Sequence, residues 1–421
     1  MLAEKGGYMN TRENSIVFTP AWIGPFQVKN RLIRSATYEN SATSGGEVSE
    51  FLVDLYRSLA KGGVGLIITS LAGIYSKALP YHLSIRADED SFIPSLKKIP
   101  RTVREVNPDC KIILQMAHPG RQVINPKDAV KLFPMLPPAM LAYIQKHPEI
   151  LIPTEAVHEV EPTAPSAVYD TTYDRTPRAL TTDEIGEIIE AFAEGIRRAQ
   201  EAGFDGVQLH AAHGYLLSSF LSPRTNQRED QYGGSTENRT RIVKEIYQLA
   251  RKKVGDSFPI LIKMNTTDFL PGGIDLDEAV RVGAVVSETG FAAIETSGGM
   301  TESLTRTKEE LGWPPLLLAE SRTSIKTKDQ EGYFLPGAKA IKEKTNATVI
   351  VVGGFKSFSK IEEVLTSKVV DFVSLCRPLI RQPDLPNLWR SGEGPDKAEC
   401  ISCNACIPVG SARLGCRVKN P

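Results

Sequence analysis

Several ordinary features are scarce in this 421-residue chain, and each scarcity excludes something. Net charge is absent: 50 Lys and Arg balance 50 Asp and Glu. No footprint for nucleic acid or another polyanion follows from such a balance. No apolar run is long enough to span a bilayer. The opening Met-Leu-Ala-Glu-Lys-Gly-Gly lacks the apolar stretch of a signal peptide. Residues 1–14 are expected to be a flexible polar N-terminus, with Met9 as an alternative start. Cysteine is limited to six, of which Cys110 and Cys376 stand alone and four cluster at the end. That is no disulfide framework, so a reducing, cytoplasmic compartment is expected. A G-x-G-x-x-G loop is missing after the first strand-like run, which counts against a doubly wound dinucleotide-binding sheet.

What is present is order. Eight short β-branched runs alternate with amphipathic stretches: 31–37, 64–70, 111–116, 206–210, 259–264, 292–297, 348–353 and 372–377. Helical patterns fall at 50–61, 182–202, 237–254, 276–289 and 359–366. Thr181, followed by Thr-Asp-Glu, reads as an N-cap with acids in the first turn. Hydrophobic content of 41% supports one large core. Eight strands in strict alternation with helices predict an α/β fold, a (β/α)8 TIM barrel over 15–392 with a Cys-rich tail at 393–421. Two connections, 121–177 and 299–335, are too long for simple turns. They read as lids over the catalytic face, as solvated excursions or as contacts between copies of the chain.

The stretch from Asp205 to Arg239 is the most informative. Gly206-Val207-Gln208-Leu209 reads as a buried strand that ends in His210, His213 and Tyr215. In a barrel, strand ends face the active site. Two imidazoles and a phenol there can donate hydrogen bonds and deliver a proton. The pair can also be read as satisfied core histidines. A metal pair is the weaker reading, since no carboxylate or third histidine follows at ligand spacing.

The run HAAHGYLLSSFLSPRTNQREDQYGGSTENR resembles the signature of the old yellow enzyme family, the NADH:flavin oxidoreductases and ene-reductases. A second motif, Gln115-Met116-Ala117-His118-Pro119-Gly120-Arg121, points the same way. The resemblance extends from Phe18-Thr19-Pro20 through Arg377, and it implies bound FMN. Ser35, Ala36, Thr37 and Leu71 are implied along the flavin, with Thr37 nearest its reactive N5. Gln115 suits the alternating donor and acceptor edge of the ring. Lys263 stands where the family usually has arginine, near N1 and the C2 carbonyl. It keeps the charge but not the planar fork. Gly353, Gly354, Cys376 and Arg377 are implied at the phosphate, with Cys376 where many members carry glycine. His210 and His213 are implied as the anchor for a substrate carbonyl, and Tyr215 as the proton donor to an activated alkene. NADH or NADPH is the implied hydride donor, and the substrate a small molecule.

The tail reads Cys400-x2-Cys403-x2-Cys406-x9-Cys416. Four thiolates so spaced suit an iron–sulfur cluster or a structural zinc, and free or redox-active thiols are the third reading. The Cys-Ile-x-Cys-Asn-x-Cys core resembles the branch containing 2,4-dienoyl-CoA reductase and trimethylamine dehydrogenase, which implies a [4Fe–4S] cluster. The spacer before Cys416 is shorter than in those enzymes, and they continue into dinucleotide-binding domains beyond the position of Pro421. A one-electron partner protein is therefore expected if a cluster is present. Other readings stay open: an amine or C–H dehydrogenase, an electron-transfer subunit, or a barrel lyase.

Overall fold

Strand residues two apart point to the same side of a sheet, and that parity organises the whole molecule. A computed structural model describes residues 11–79, 83–125, 128, 131–151, 159–316 and 318–418. Eight parallel strands form the barrel: β1 (Leu32–Arg34), β2 (Leu66–Gly73), β3 (Lys111–Ala117), β4 (Gly206–Ala211), β5 (Ile260–Asn265), β6 (Ile294–Ser297), β7 (Val349–Val351) and β8 (Phe372–Leu375). Neighbours pair in sequence order. β8 pairs with β1 through Val373 and Leu32, and β1 pairs with β2 through Ile33 and Leu66, which closes the ring. The open, doubly wound alternative is thereby excluded.

Each strand is followed, among other shorter helices, by one that covers the barrel: α1 (Glu50–Lys61), α2 (Lys98–Val106), α3 (Thr182–Glu201), α4 (Arg241–Val254), α5 (Leu276–Thr289), α6 (Leu335–Lys344), α7 (Phe358–Thr366) and α8 (Leu385–Ser391). In α3 the expected cap is a full capping box. Thr181 Oγ1 accepts from the Glu184 N–H at 3.2 Å, and the Glu184 carboxylate accepts from the Thr181 N–H at 2.8 Å. Its buried face is Ile185, Ile188, Ile189, Phe192 and Ile196. One expected helix is broken. The 237–254 stretch divides into Thr236–Arg239 and α4, with Thr240 between them. The Thr240 hydroxyl donates to the Thr236 carbonyl at 2.8 Å, a side-chain bond that competes with regular helix.

Inside the barrel the layers are distinct. Ile33, Ile68, Ile113, Leu261, Ala293, Ile350 and Phe372 form an apolar floor, separate from the larger core between strands and helices. A two-stranded hairpin, Ala21–Ile23 with Phe26–Val28, plugs it from below through Ile23 and Val28. Both long loops reach over the opposite, C-terminal end of the strands. The predicted flexible N-terminus falls, for residues 1–10, outside the described residues. Cutting Ile23 to alanine should leave a cavity under the floor and cost about 2–5 kcal/mol of stability. Denaturant unfolding measures this, and a loss below about 1 kcal/mol would show that the hairpin is not packed as a plug.

Candidate active site

Stepping two residues up from the floor replaces hydrocarbon by polar groups. Ile33 leads to Ser35, Ile113 to Gln115, Leu261 to Lys263, Ala293 to Glu295 and Phe372 to Ser374. Glu295 is fully buried and gathers this layer. Its Oε1 accepts from the Ser35 and Ser374 hydroxyls, each at 2.7 Å. Its Oε2 accepts from Gln208 Nε2 at 2.9 Å and faces Lys263 Nζ at 3.6 Å. Lys263 donates to Ser35 Oγ at 3.0 Å, and Gln115 Nε2 donates to Gln208 Oε1 at 2.7 Å. A buried carboxylate needs such partners, because unpaired it would be prohibitively desolvated.

The next step up carries the predicted chemistry. Ser35 leads to Thr37, Gln208 to His210, Glu295 to Ser297 and Ser374 to Cys376. Thr37 Oγ1 accepts from Arg34 Nη1 at 2.8 Å and lies 3.0 Å from Cys376 Sγ. The ring of His210 is 5.1 Å from that of His213 and 4.5 Å from that of Tyr215. His213 Nε2 meets Ser297 Oγ at 2.7 Å. Its backbone N–H donates to Asn265 Oδ1 at 3.1 Å, and its φ is 63°, a conformation seldom adopted outside glycine. Asn265 is itself fixed by Asp268 Oδ1 at 2.8 Å and the Gly299 carbonyl at 3.1 Å. Burial pushes the His210 imidazole down to about 3, with the Lys263 charge adding to it. Burial, then His210 and Lys263, hold His213 well below its ordinary value. Both rings are therefore neutral at physiological pH. His210 Nδ1 is buried without a hydrogen-bond partner.

Ser35, Ala36, Thr37, Leu71, Gln115, His210, His213, Tyr215, Lys263, Gly354, Cys376 and Arg377 all line one cavity of about 630 Å³. Gly353 does not line it. Its carbonyl instead accepts from the N–H groups of Gly332 and Tyr333, at 2.7 and 3.3 Å, and holds the end of the second long loop. Gly354 has φ +75°, and a Cβ there would stand 2.3 Å from the Ile325 side chain, so the position requires glycine. Arg377 Nη1 donates to the Arg322 carbonyl at 2.9 Å and to Asn404 Oδ1 at 2.7 Å, which orients its guanidinium.

Cys400, Cys403, Cys406 and Cys416 line a second, small cavity together with Arg377 and Arg381. Arg377, Ile380 and Cys406 border both cavities. Among the described residues, no three His, Cys, Asp or Glu side chains converge tightly enough to hold a single ion. Burial raises the Cys400 and Cys406 thiols above their ordinary range.

Sequence reasoning missed Glu295, Gln208, Ser374, Ser297, Asn265 and Arg34. The available signal is a charged or amide side chain inside a short apolar strand, as in Ile294-Glu295-Thr296. Such a residue is a candidate for a polar interior, and the closure of the ring decides which way it faces.

One cavity at the mouth of a parallel barrel thus brings together Lys263, Gln115, Gly354, Arg377 and two histidines beside a tyrosine. Residues 16–393 match the NADH:flavin oxidoreductase / NADH oxidase family. The chain is 32% identical over 411 residues to the NADH oxidase of Thermoanaerobacter brockii, an alignment covering 96% of this chain and 56% of that protein. It is 30% identical over 373 residues to an NADPH dehydrogenase of a Geobacillus species, covering 88% and 93% respectively. Its fold matches the solved old yellow enzyme homologue from Zymomonas mobilis with a TM-score of 0.67 at 24% identity, covering 91% and 95%. The chain belongs to the NADH:flavin oxidoreductase / NADH oxidase family, the old yellow enzyme family of FMN-dependent oxidoreductases. It spans little more than half the length of the T. brockii relative.

The residues present fit FMN. Gly354 and Arg377 suit its phosphate, Gln115 and Lys263 its ring edge, and the buried His210 Nδ1 is without a hydrogen-bond partner in the protein. Replacing Glu295 by glutamine removes the charge opposing Lys263 while keeping the side-chain shape. The uncompensated cation should stabilise reduced flavin and raise its reduction potential. Dye-equilibrated potentiometry of the holoprotein reads this directly, and an unchanged or lower potential would refute the electrostatic role.

Proposed function

We propose that this chain binds FMN and reduces the activated C=C bond of an α,β-unsaturated carbonyl or thioester at the expense of NADH or NADPH. The observation that carries the reading is the trio His210, His213 and Tyr215 at the cavity. Two neutral imidazoles are held rigidly beside a mostly buried phenol. FMN, when bound, supplies a hydride acceptor for the nicotinamide and a hydride donor for carbon. The protein's part is to hold and polarise. His210 and His213, uncharged, donate hydrogen bonds to the substrate oxygen, which stabilises negative charge as it develops there. Ser297 and Asn265 fix His213 for that task. Tyr215 delivers the proton to the α-carbon. Hydride at one carbon and proton at the other saturate the bond. Thr37, held by Arg34, is positioned to tune the flavin.

Tyr215→Phe tests this in rapid-mixing experiments. Flavin reduction by NAD(P)H should persist, while reoxidation by an enone slows by ~10²-fold or more. Equal slowing of both half-reactions would make Tyr215 structural. Because both histidines are held neutral, the reoxidation rate should also show no titration near pH 6.5.

We also propose that Cys400, Cys403, Cys406 and Cys416 hold a [4Fe–4S] cluster. Support comes from their common cavity and from the wall it shares with the flavin cavity. A zinc ion draws four thiolates into one tight tetrahedron. A cubane is larger than a single ion and spreads its thiolates over a wider site. So placed, a cluster passes single electrons between the flavin and a partner protein. Anaerobically prepared protein should carry about four irons per chain. One zinc and no iron would remove both the cluster and the partner.

A further inference from the structure

The cysteine tail is also a wall of the substrate cavity. Between Cys406 and Cys416, residues Ile407, Pro408, Val409, Gly410 and Ser411 line the cavity that holds the catalytic trio. Facing them are Phe133, Leu136, Ile150 and Leu151 from the long loop after β3. The two sides are fastened together. The Ser411 N–H donates to the Ile150 carbonyl at 2.9 Å. Ala412 and Val409 pack with Leu136, Met140, Ile144 and Ile150 in a separate small apolar cluster. The Arg417 guanidinium lies 4.5 Å from the centre of the Tyr143 ring. At Gly410, φ is +58°, and a Cβ would stand 2.1 Å from the Ile150 carbonyl oxygen, so the approach admits no side chain.

The same tail is fastened to the loop after β1. Asn40 Nδ2 donates to the carbonyls of Gly410 and Ala412 at 2.8 and 3.0 Å, and the Leu414 N–H donates to the Glu39 carbonyl at 3.0 Å. Asn40 Oδ1 accepts from the Tyr38 hydroxyl at 2.5 Å, one residue beyond Thr37. The tail thus joins the flavin-side loop to the lid over the substrate, and between them stands an outer chamber lined by hydrocarbon.

A small enone held at the histidines and Tyr215 buries less apolar surface than these walls offer, and what it leaves uncovered stays in contact with water. We infer that the Ile407–Ser411 segment is a substrate-specificity wall, and that the physiological substrate carries a bulky apolar group, of the size of an aromatic ring, beyond its activated alkene. This rests on the alkene-reduction reading above. It gives the cysteine tail a second task, setting the shape of the substrate chamber.

The test uses the FMN holoenzyme with trans-chalcone as bulky probe and 2-cyclohexen-1-one as small probe. Binding is followed by the flavin absorbance and turnover by kcat/KM. Val409→Trp fills the chamber without touching a cysteine. Chalcone binding should weaken by ~10-fold or more, cyclohexenone binding much less, and the turnover ratio of the two should fall through KM. Val409→Ala, which adds no bulk, should weaken chalcone by about threefold and keeps the test open if the tryptophan variant does not fold. Absence of chalcone binding to the unaltered holoenzyme, or equal weakening of both probes, or no weakening in either variant, overturns the inference. If chalcone binds and Val409→Trp weakens it while neither enone reoxidises reduced flavin, the chamber stands and the alkene-reduction reading falls.

Discussion

A carboxylate with no access to water sits at the centre of this barrel. Glu295 takes hydrogen bonds from Ser35, Ser374 and Gln208 and faces Lys263. Six strands are represented once Gln115 is added through Gln208. Such a network is worth having only when every member is satisfied, since one missing partner leaves a buried charge exposed to a low dielectric. That requirement fixes the level at which the interior changes from hydrocarbon to polar. It also sets the height of Lys263 and Gln115 in the cavity wall. The polar platform of the cavity is therefore levelled from beneath.

Above that platform the molecule is held by connections remote in sequence. The tail from Cys400 to Cys416 touches the β1 loop through Asn40 and Glu39, the long loop after β3 through Ile150, and Arg377 through Asn404. Its backbone is unusual where these duties meet, with positive φ at Ser402, Asn404 and Gly410. Strained turns of this kind persist only where surrounding contacts over-determine them. The β1 loop, the long loop after β3 and the thiols are consequently joined by one segment.

The barrel was legible because its signals are local. β-Branched runs, a capping motif at Thr181 and the His-x-x-His-x-Tyr pattern need no knowledge of distant partners. Helix 237–254 was misread at one point, since the back-bonding of Thr240 leaves no periodic trace. Glu295 and Gln208 escaped notice for a different reason. A polar residue in a strand can face inward or outward, and only ring closure decides. Gly353 is expected at the phosphate from the strand-7 glycine pair, and the bonds its carbonyl accepts from Gly332 and Tyr333, distant in sequence, left no trace there. The four cysteines were conspicuous as a motif, but the wall they support was not: the Ser411–Ile150 contact spans 261 residues. Asn40, an ordinary loop asparagine in sequence, becomes a clamp only when the tail returns to it.

The alternation of layers along each strand has an evolutionary reading. In β1 and its extension, Ile33 belongs to the floor, Ser35 to the polar platform and Thr37 to the reacting level. Intervening positions such as Leu32 face the helices. A saturation scan along this strand would then register folding, cofactor affinity and turnover as separate phenotypes recurring every second residue. Selection can adjust one without passing through another, although the three positions fall within five consecutive residues. Descendants of such a scaffold can exchange their reacting level and their chamber while inheriting the floor unchanged.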